Sequence, residues 1–78
     1  MPYLDHAYYV RVKDRKVKQK YTTIGRANEG AKYRGGDVYG VDIINGKPKI
    51  VAKYSGICQE ELEDWEAELL WVYLMRFY

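Results

Sequence analysis

The sequence predicts an α+β domain: a four-stranded antiparallel sheet of two hairpins, backed by one C-terminal helix. Three observations carry this. Asn45-Gly46 stands between two strand-like runs, and both residues tolerate the positive φ of a two-residue type I′ turn. Residues 8–24 alternate apolar and polar side chains on either side of Asp14-Arg15. Residues 58–77 contain no Pro or Gly, and acids crowd their first turns, where the positive end of a helix dipole favours them.

Hairpin 1 is expected over residues 6–24. With a loop of two or four residues, Val12 pairs with Val17 and Arg11 with Lys18. Tyr8, Val10, Val12, Val17 and Tyr21 then share the core face. Tyr9, Arg11, Lys13, Lys16, Lys18 and Lys20 share the outer face. Residues 25–36 are rich in Gly and polar side chains and read as a basic loop carrying Arg26, Lys32 and Arg34.

Hairpin 2 is expected over residues 37–54. A two-residue Asn-Gly loop sets Ile44 opposite Lys47, Asp42 opposite Lys49, Val41 opposite Ile50 and Tyr39 opposite Ala52. Tyr39, Val41, Ile43, Ile50, Ala52 and Tyr54 fall on the core face. Val38, Asp42, Lys47, Lys49, Val51 and Lys53 fall on the other. Pro48 lacks an N–H, which favours an edge position for its strand.

In the expected helix, residues 58–77, Leu62, Trp65, Leu69, Val72 and Tyr73 form one stripe at 100° per residue, flanked by Leu70 and Phe77. That stripe is expected to cover the sheet, with Glu60, Glu61, Asp64 and Glu68 in solvent. The last turns are apolar nearly all round, so Trp71, Leu74, Met75 and Tyr78 are expected to contact a second chain, making a homodimer.

At 78 residues the chain is one domain that buries only about 60% of its unfolded surface. Cys58 is the one cysteine and His6 the one histidine, so neither an internal disulfide nor a Cys/His zinc site can form. Nine Tyr, two Trp and one Phe supply the bulk instead. A lone Cys58 with a lone His6 is a poor basis for nucleophilic catalysis, and they read as a small capping or buried residue and an incidental His. Gly35-Gly36 is not followed by the helix that a phosphate loop needs. The expectation is therefore a non-catalytic protein without a cofactor. The apolar run at 69–78 is too short to span a bilayer, residues 1–5 lack a secretory leader pattern, and a cytoplasmic setting is expected.

Charge is divided along the chain. Residues 1–54 carry twelve Lys/Arg and five Asp/Glu, a net of +7, and residues 55–78 carry six acids and one Arg, a net of −5. Such asymmetry points to an anionic partner for the first segment. The expected nucleic-acid contact is Tyr9, Arg11, Lys13, Lys16, Lys18, Lys20, Lys47, Lys49 and Lys53 on the outer sheet face, with Arg26 and Arg34 from the loop. Cations there would neutralise phosphates, and an aromatic among them would stack a base. The competing reading is a Lys-rich solvent face that protects a small sheet from edge pairing.

Two resemblances follow from these features. Four antiparallel strands and then a long C-terminal helix, over residues 6–78, resemble the PC4-type single-stranded-DNA-binding fold. That resemblance implies helix-mediated dimers and DNA on basic sheets. The run Tyr-Thr-Thr-Ile-Gly-Arg-Ala at 21–27, with Ile-Ile-Asn-Gly-Lys at 43–47, is similar to small uncharacterised phage and plasmid accessory proteins. It implies a mobile-element protein acting in the host cytoplasm, including an anti-CRISPR type of inhibitor that binds a host defence protein. Under that alternative Trp71, Met75 and Tyr78 anchor the contact.

Overall fold

The structure, a computed structural model, describes residues 4–55 and 58–75, without the side chains of Val17, Lys18 and Cys58. The class is α+β with an antiparallel sheet, as expected. The order is β1 (Tyr8–Lys13), β2 (Lys16–Tyr21), α1 (Ile24–Arg34), β3 (Asp37–Ile44), β4 (Lys47–Ser55), β5 (Cys58–Glu60) and α2 (Asp64–Leu74). Among the described residues the sheet therefore has five strands, ordered β2-β1-β3-β4-β5, and two helices pack on it. Because β1 is antiparallel to both neighbours, β2 and β3 run parallel on either side of it, and α1 is the crossover between them.

The segment expected as a loop at 25–36 is mostly helix. Thr23 caps α1 by accepting the Arg26 N–H at 3.3 Å. Lys32 and Arg34 lie in the last turn, and Gly35 closes it at φ 80°, its N–H donating to the Ala31 carbonyl at 2.8 Å. Gly25 and Gly30 each cost about 1 kcal/mol in a helix, which is why the composition read as a loop. Packing of Ala27 and Ala31 on the sheet overrides that cost. A Cβ at Gly30 would stand 2.2 Å from the Tyr21 hydroxyl, so a larger residue there would push that side chain aside.

The single helix expected over 58–77 divides in two. Residues 58–60 form β5, with Ser55 opposite Cys58, Tyr54 opposite Gln59 and Lys53 opposite Glu60. The helix proper begins at Asp64. Phe77 and Tyr78 lie outside the described residues.

Both turns match expectation near the loop and depart from it further along. Asp14 and Arg15 take φ 55° and 61°, Asn45 and Gly46 take 53° and 76°. Val12 opposes Val17, Ile44 opposes Lys47, Asp42 opposes Lys49 and Val41 opposes Ile50. A bulge then interrupts each hairpin. Arg11 faces Gln19 rather than Lys18, which puts Lys20 opposite Val10 and Tyr21 opposite Tyr9. Tyr39 faces Lys53 rather than Ala52, which pairs with Gly40. One extra residue exchanges the faces of everything beyond it.

The sheet consequently has two covered faces. Tyr8, Val10, Val12, Tyr39, Val41 and Ile50 pack with Leu70 and Leu74 of α2, and with Leu62. On the reverse, Tyr9, Val38, Ala52 and Tyr54 pack with Ala27 of α1, joined by Tyr21, Ile24 and Ala31. Val10, Val38 and Val41 are fully buried, each contributing about 1.5–3 kcal/mol. The outer face expected to be open is thus a second core.

Candidate nucleic-acid interface

The side of α1 away from the sheet centre and the edge strand β2 enclose a groove of about 800 Å³. Arg26, Gly30, Tyr33 and Arg34 recur at three- and four-residue spacing, so they share one helix face. They meet Gln19, Lys20 and Tyr21 from β2, with Glu29 as the acid among the lining residues. Arg34 donates to Gln19 Oε1 at 3.1 Å and the Tyr21 hydroxyl donates to the same oxygen at 2.8 Å, which fixes two walls relative to one another. Tyr33 is 75% exposed. The groove therefore offers two guanidinium groups and two phenol rings. These are groups for binding an anion or a flat base, without a nucleophile held beside a base.

The structure separates the basic residues that the sequence placed on one face. Arg26 and Arg34 converge on the groove. Lys13 and Lys16 oppose one another beside the β1–β2 turn and are exposed. Lys47 and Lys49 are exposed on β4, with β1 and β3 lying between them and β2. The Lys18 side chain lies outside the described residues. Tyr9 and Arg11 are not open to a ligand, being 2% and 5% exposed under α1. Arg11 Nη1 donates to the Gly35 carbonyl at 2.9 Å, tying the end of α1 to the sheet. The Tyr9 hydroxyl donates to the Leu4 carbonyl at 2.9 Å, and burial pushes its pKa above the ordinary value. Lys20 lines the groove only with its backbone and stem, and its ammonium lies on the opposite face, 4.4 Å from the Tyr8 ring centroid.

Lys53 belongs to a structural network. The bulge in hairpin 2 turns it toward α2, where it donates to Glu66 Oε1 at 3.4 Å and lies 4.0 Å from Asp37 Oδ2. The Tyr39 hydroxyl donates to Glu66 Oε2. Burial, and then the Glu66 carboxylate, push the Tyr39 phenol far above its ordinary value. Burial lowers the Lys53 pKa, but the bond to Glu66 and the charges of Glu66 and Asp37 outweigh it, and the net direction is upward.

This network turns α2. Glu66, Leu70 and Leu74 face the sheet, one position on from the Trp65-Leu69-Tyr73 line of the expected stripe, a rotation of about 100°. Trp65 and Val72 are left 45% and 56% exposed. Arg15 covers the Trp65 ring at 4.5 Å. Of the expected interface residues, Leu74 is in the core, Trp71 and Met75 are half-buried on the flank, and Tyr78 lies outside the described residues.

His6, read as incidental, is a packing hub. Its ring lies over Gly40, where a Cβ would approach its Cδ2 to 2.3 Å. Nδ1 is 3.1 Å from Asp42 Oδ1, and Nε2 is 2.6 Å from the Tyr54 hydroxyl. Among the described residues no three His, Cys, Asp or Glu side chains converge as a metal site, and no helix is long and apolar enough to cross a membrane.

Gln19, Tyr21 and Tyr33 are the groove residues that sequence reasoning missed. The signal was present as a helix signature: Thr23 as cap, basic residues at 32 and 34, then Gly35-Gly36. No protein-family model, curated protein or solved structure matches the chain.

Proposed function

We propose that this chain is a non-catalytic nucleic-acid-binding protein whose contact surface is the β2–α1 groove. The convergence of Arg26 and Arg34 around Tyr21 and Tyr33 supports the reading. Cations attract phosphates and release counterions, and an exposed ring offers a π-face to a base. The contact lies on α1 and the edge strand β2, since the sheet face beneath is covered by α1.

The test is fluorescence anisotropy with labelled single- and double-stranded oligonucleotides over a salt series. Affinity should fall with a log–log slope of about −2 if Arg26 and Arg34 each meet a phosphate. Arg26→Glu with Arg34→Glu should abolish binding while the circular dichroism spectrum is retained. Absence of binding to every oligonucleotide at about 50 mM salt would refute the reading and favour an inhibitor that acts on another protein.

A further inference from the structure

We propose that a second copy of this chain docks in the apolar groove between α2 and β4, forming a two-fold symmetric dimer. The groove encloses about 480 Å³ and lies across the sheet from the basic one. Ile50 forms its floor, Ala67, Trp71 and Val72 form the helix wall, and Lys49 and Glu68 carry opposite charges on its two sides. After Leu70 and Leu74 have turned to the sheet, α2 still presents Trp71 and Val72 outward, the latter 56% exposed. Apolar surface concentrated in a concavity is characteristic of a contact site, and Trp is the side chain most often found as its anchor.

The charges select the occupant. In an isologous contact residue i of one protomer meets j of the partner, and j meets i. A groove holding one Lys and one Glu is self-complementary under that operation, because Lys49 of each protomer meets Glu68 of the other. The same two charges cancel, so the groove has no net attraction for a polyanion. Strand addition is disfavoured as the mode of contact. β5 pairs with Lys53–Ser55 alone, and in the stretch of β4 before it Pro48 lacks an N–H between Lys47 and Lys49. The docking is therefore by side chains, with Trp71 seated against Ile50 and Val72 of the partner.

Sedimentation equilibrium and light scattering over a concentration series decide it. The wild type should be a dimer. Lys49→Glu alone and Glu68→Lys alone should each weaken dimerisation by about tenfold or more, since each sets like charges against one another. The double variant, Lys49→Glu with Glu68→Lys, should restore the dimer to near wild-type affinity. Circular dichroism and thermal melts accompany each variant, because Lys49 also faces Asp42 across the hairpin. Trp71→Ala should weaken the dimer, whereas Trp65→Ala, on the opposite flank of α2, should leave it intact. A wild type that stays monomeric to about 1 mM overturns the proposal, and so does a charge-swapped double variant no tighter than the singles. A dimer lost in Trp65→Ala but kept in Trp71→Ala overturns this location for it.

Discussion

Replacing Glu66 by Ala should be among the most damaging single changes in this protein. Glu66 is 2% exposed and accepts from both the Tyr39 hydroxyl and the Lys53 ammonium. Removing the carboxylate orphans a buried phenol, at about 1–3 kcal/mol, and strips Lys53 of its nearer counter-ion. Breaking a buried pair from one side costs about 3–5 kcal/mol in general. Lys53 keeps some relief, since its side chain is 20% exposed and Asp37 remains 4.0 Å away. The lower end, about 3 kcal/mol, is therefore expected. A 78-residue domain has a total stability of about 4–12 kcal/mol, so the loss is a large fraction of it. The midpoint of thermal unfolding should fall by roughly 10–25 °C. Urea and thermal unfolding followed by circular dichroism measure both quantities. Glu66→Gln keeps an acceptor for Tyr39 and should lose less. The triple change Glu66→Leu, Lys53→Met and Tyr39→Phe removes every polar partner together and should restore most of the stability. A Glu66→Ala loss under about 0.5 kcal/mol, the range of ordinary surface substitutions, would refute the claim that this network orients α2.

Alkaline pH tests the same network. Tyr39, Lys53 and Tyr9 all have folded pKa values above their ordinary ones, so each keeps its proton in the native state after the unfolded chain has lost it. Stability should hold below about pH 10 and fall above it, by up to about 1.4 kcal/mol per pH unit for each group, and urea midpoints from pH 7 to 11 would show a flat line if this is wrong. Tyr33→Ala should weaken oligonucleotide binding by about 1–3 kcal/mol without altering the salt slope, and an unchanged affinity in anisotropy would remove Tyr33 from the contact. Gly40→Ala should destabilise by about 1–3 kcal/mol because its Cβ meets the His6 ring. His6→Ala should cost a similar amount through lost bonds to Asp42 and Tyr54, and the two changes together should cost less than their sum in urea unfolding, a strictly additive result being the contrary outcome.

Much of the candidate site was readable residue by residue, but not as an arrangement. Arg26 and Arg34 were recognisable as cations seeking an anion, while their neighbours Gln19, Tyr21 and Tyr33 were not, and Lys20 was placed with them although its ammonium lies on the other face of the sheet. Tyr21 was assigned to the core face with Val12 because a regular hairpin alternates without interruption. The bulge between Arg11 and Val12 moves it beside Tyr9, under α1 and against Gly30. Tyr33 belonged to a segment whose glycines argued for a loop. Tyr9 and Arg11 were read as ligand contacts because nothing in their own strand announces that a crossover helix will cover them.

The local chemistry of the chain determined its local structure. Left-handed turn residues at 45–46, strict alternation around them and acids ahead of an uninterrupted apolar run specified hairpin 2, the pairs nearest each turn and the presence of α2, because these depend on contacts a few residues apart. Tertiary structure decided which face each side chain occupies. The two bulges, between Arg11 and Val12 and between Gly40 and Val41, exchange the faces of the residues beyond them. α1 forms despite Gly25 and Gly30 because Ala27 and Ala31 find a sheet to bury against. Glu66 points inward because Tyr39 on β3 and Lys53 on β4 together solvate its charge, and no reading of the helix alone could supply partners that lie 13 and 27 residues away.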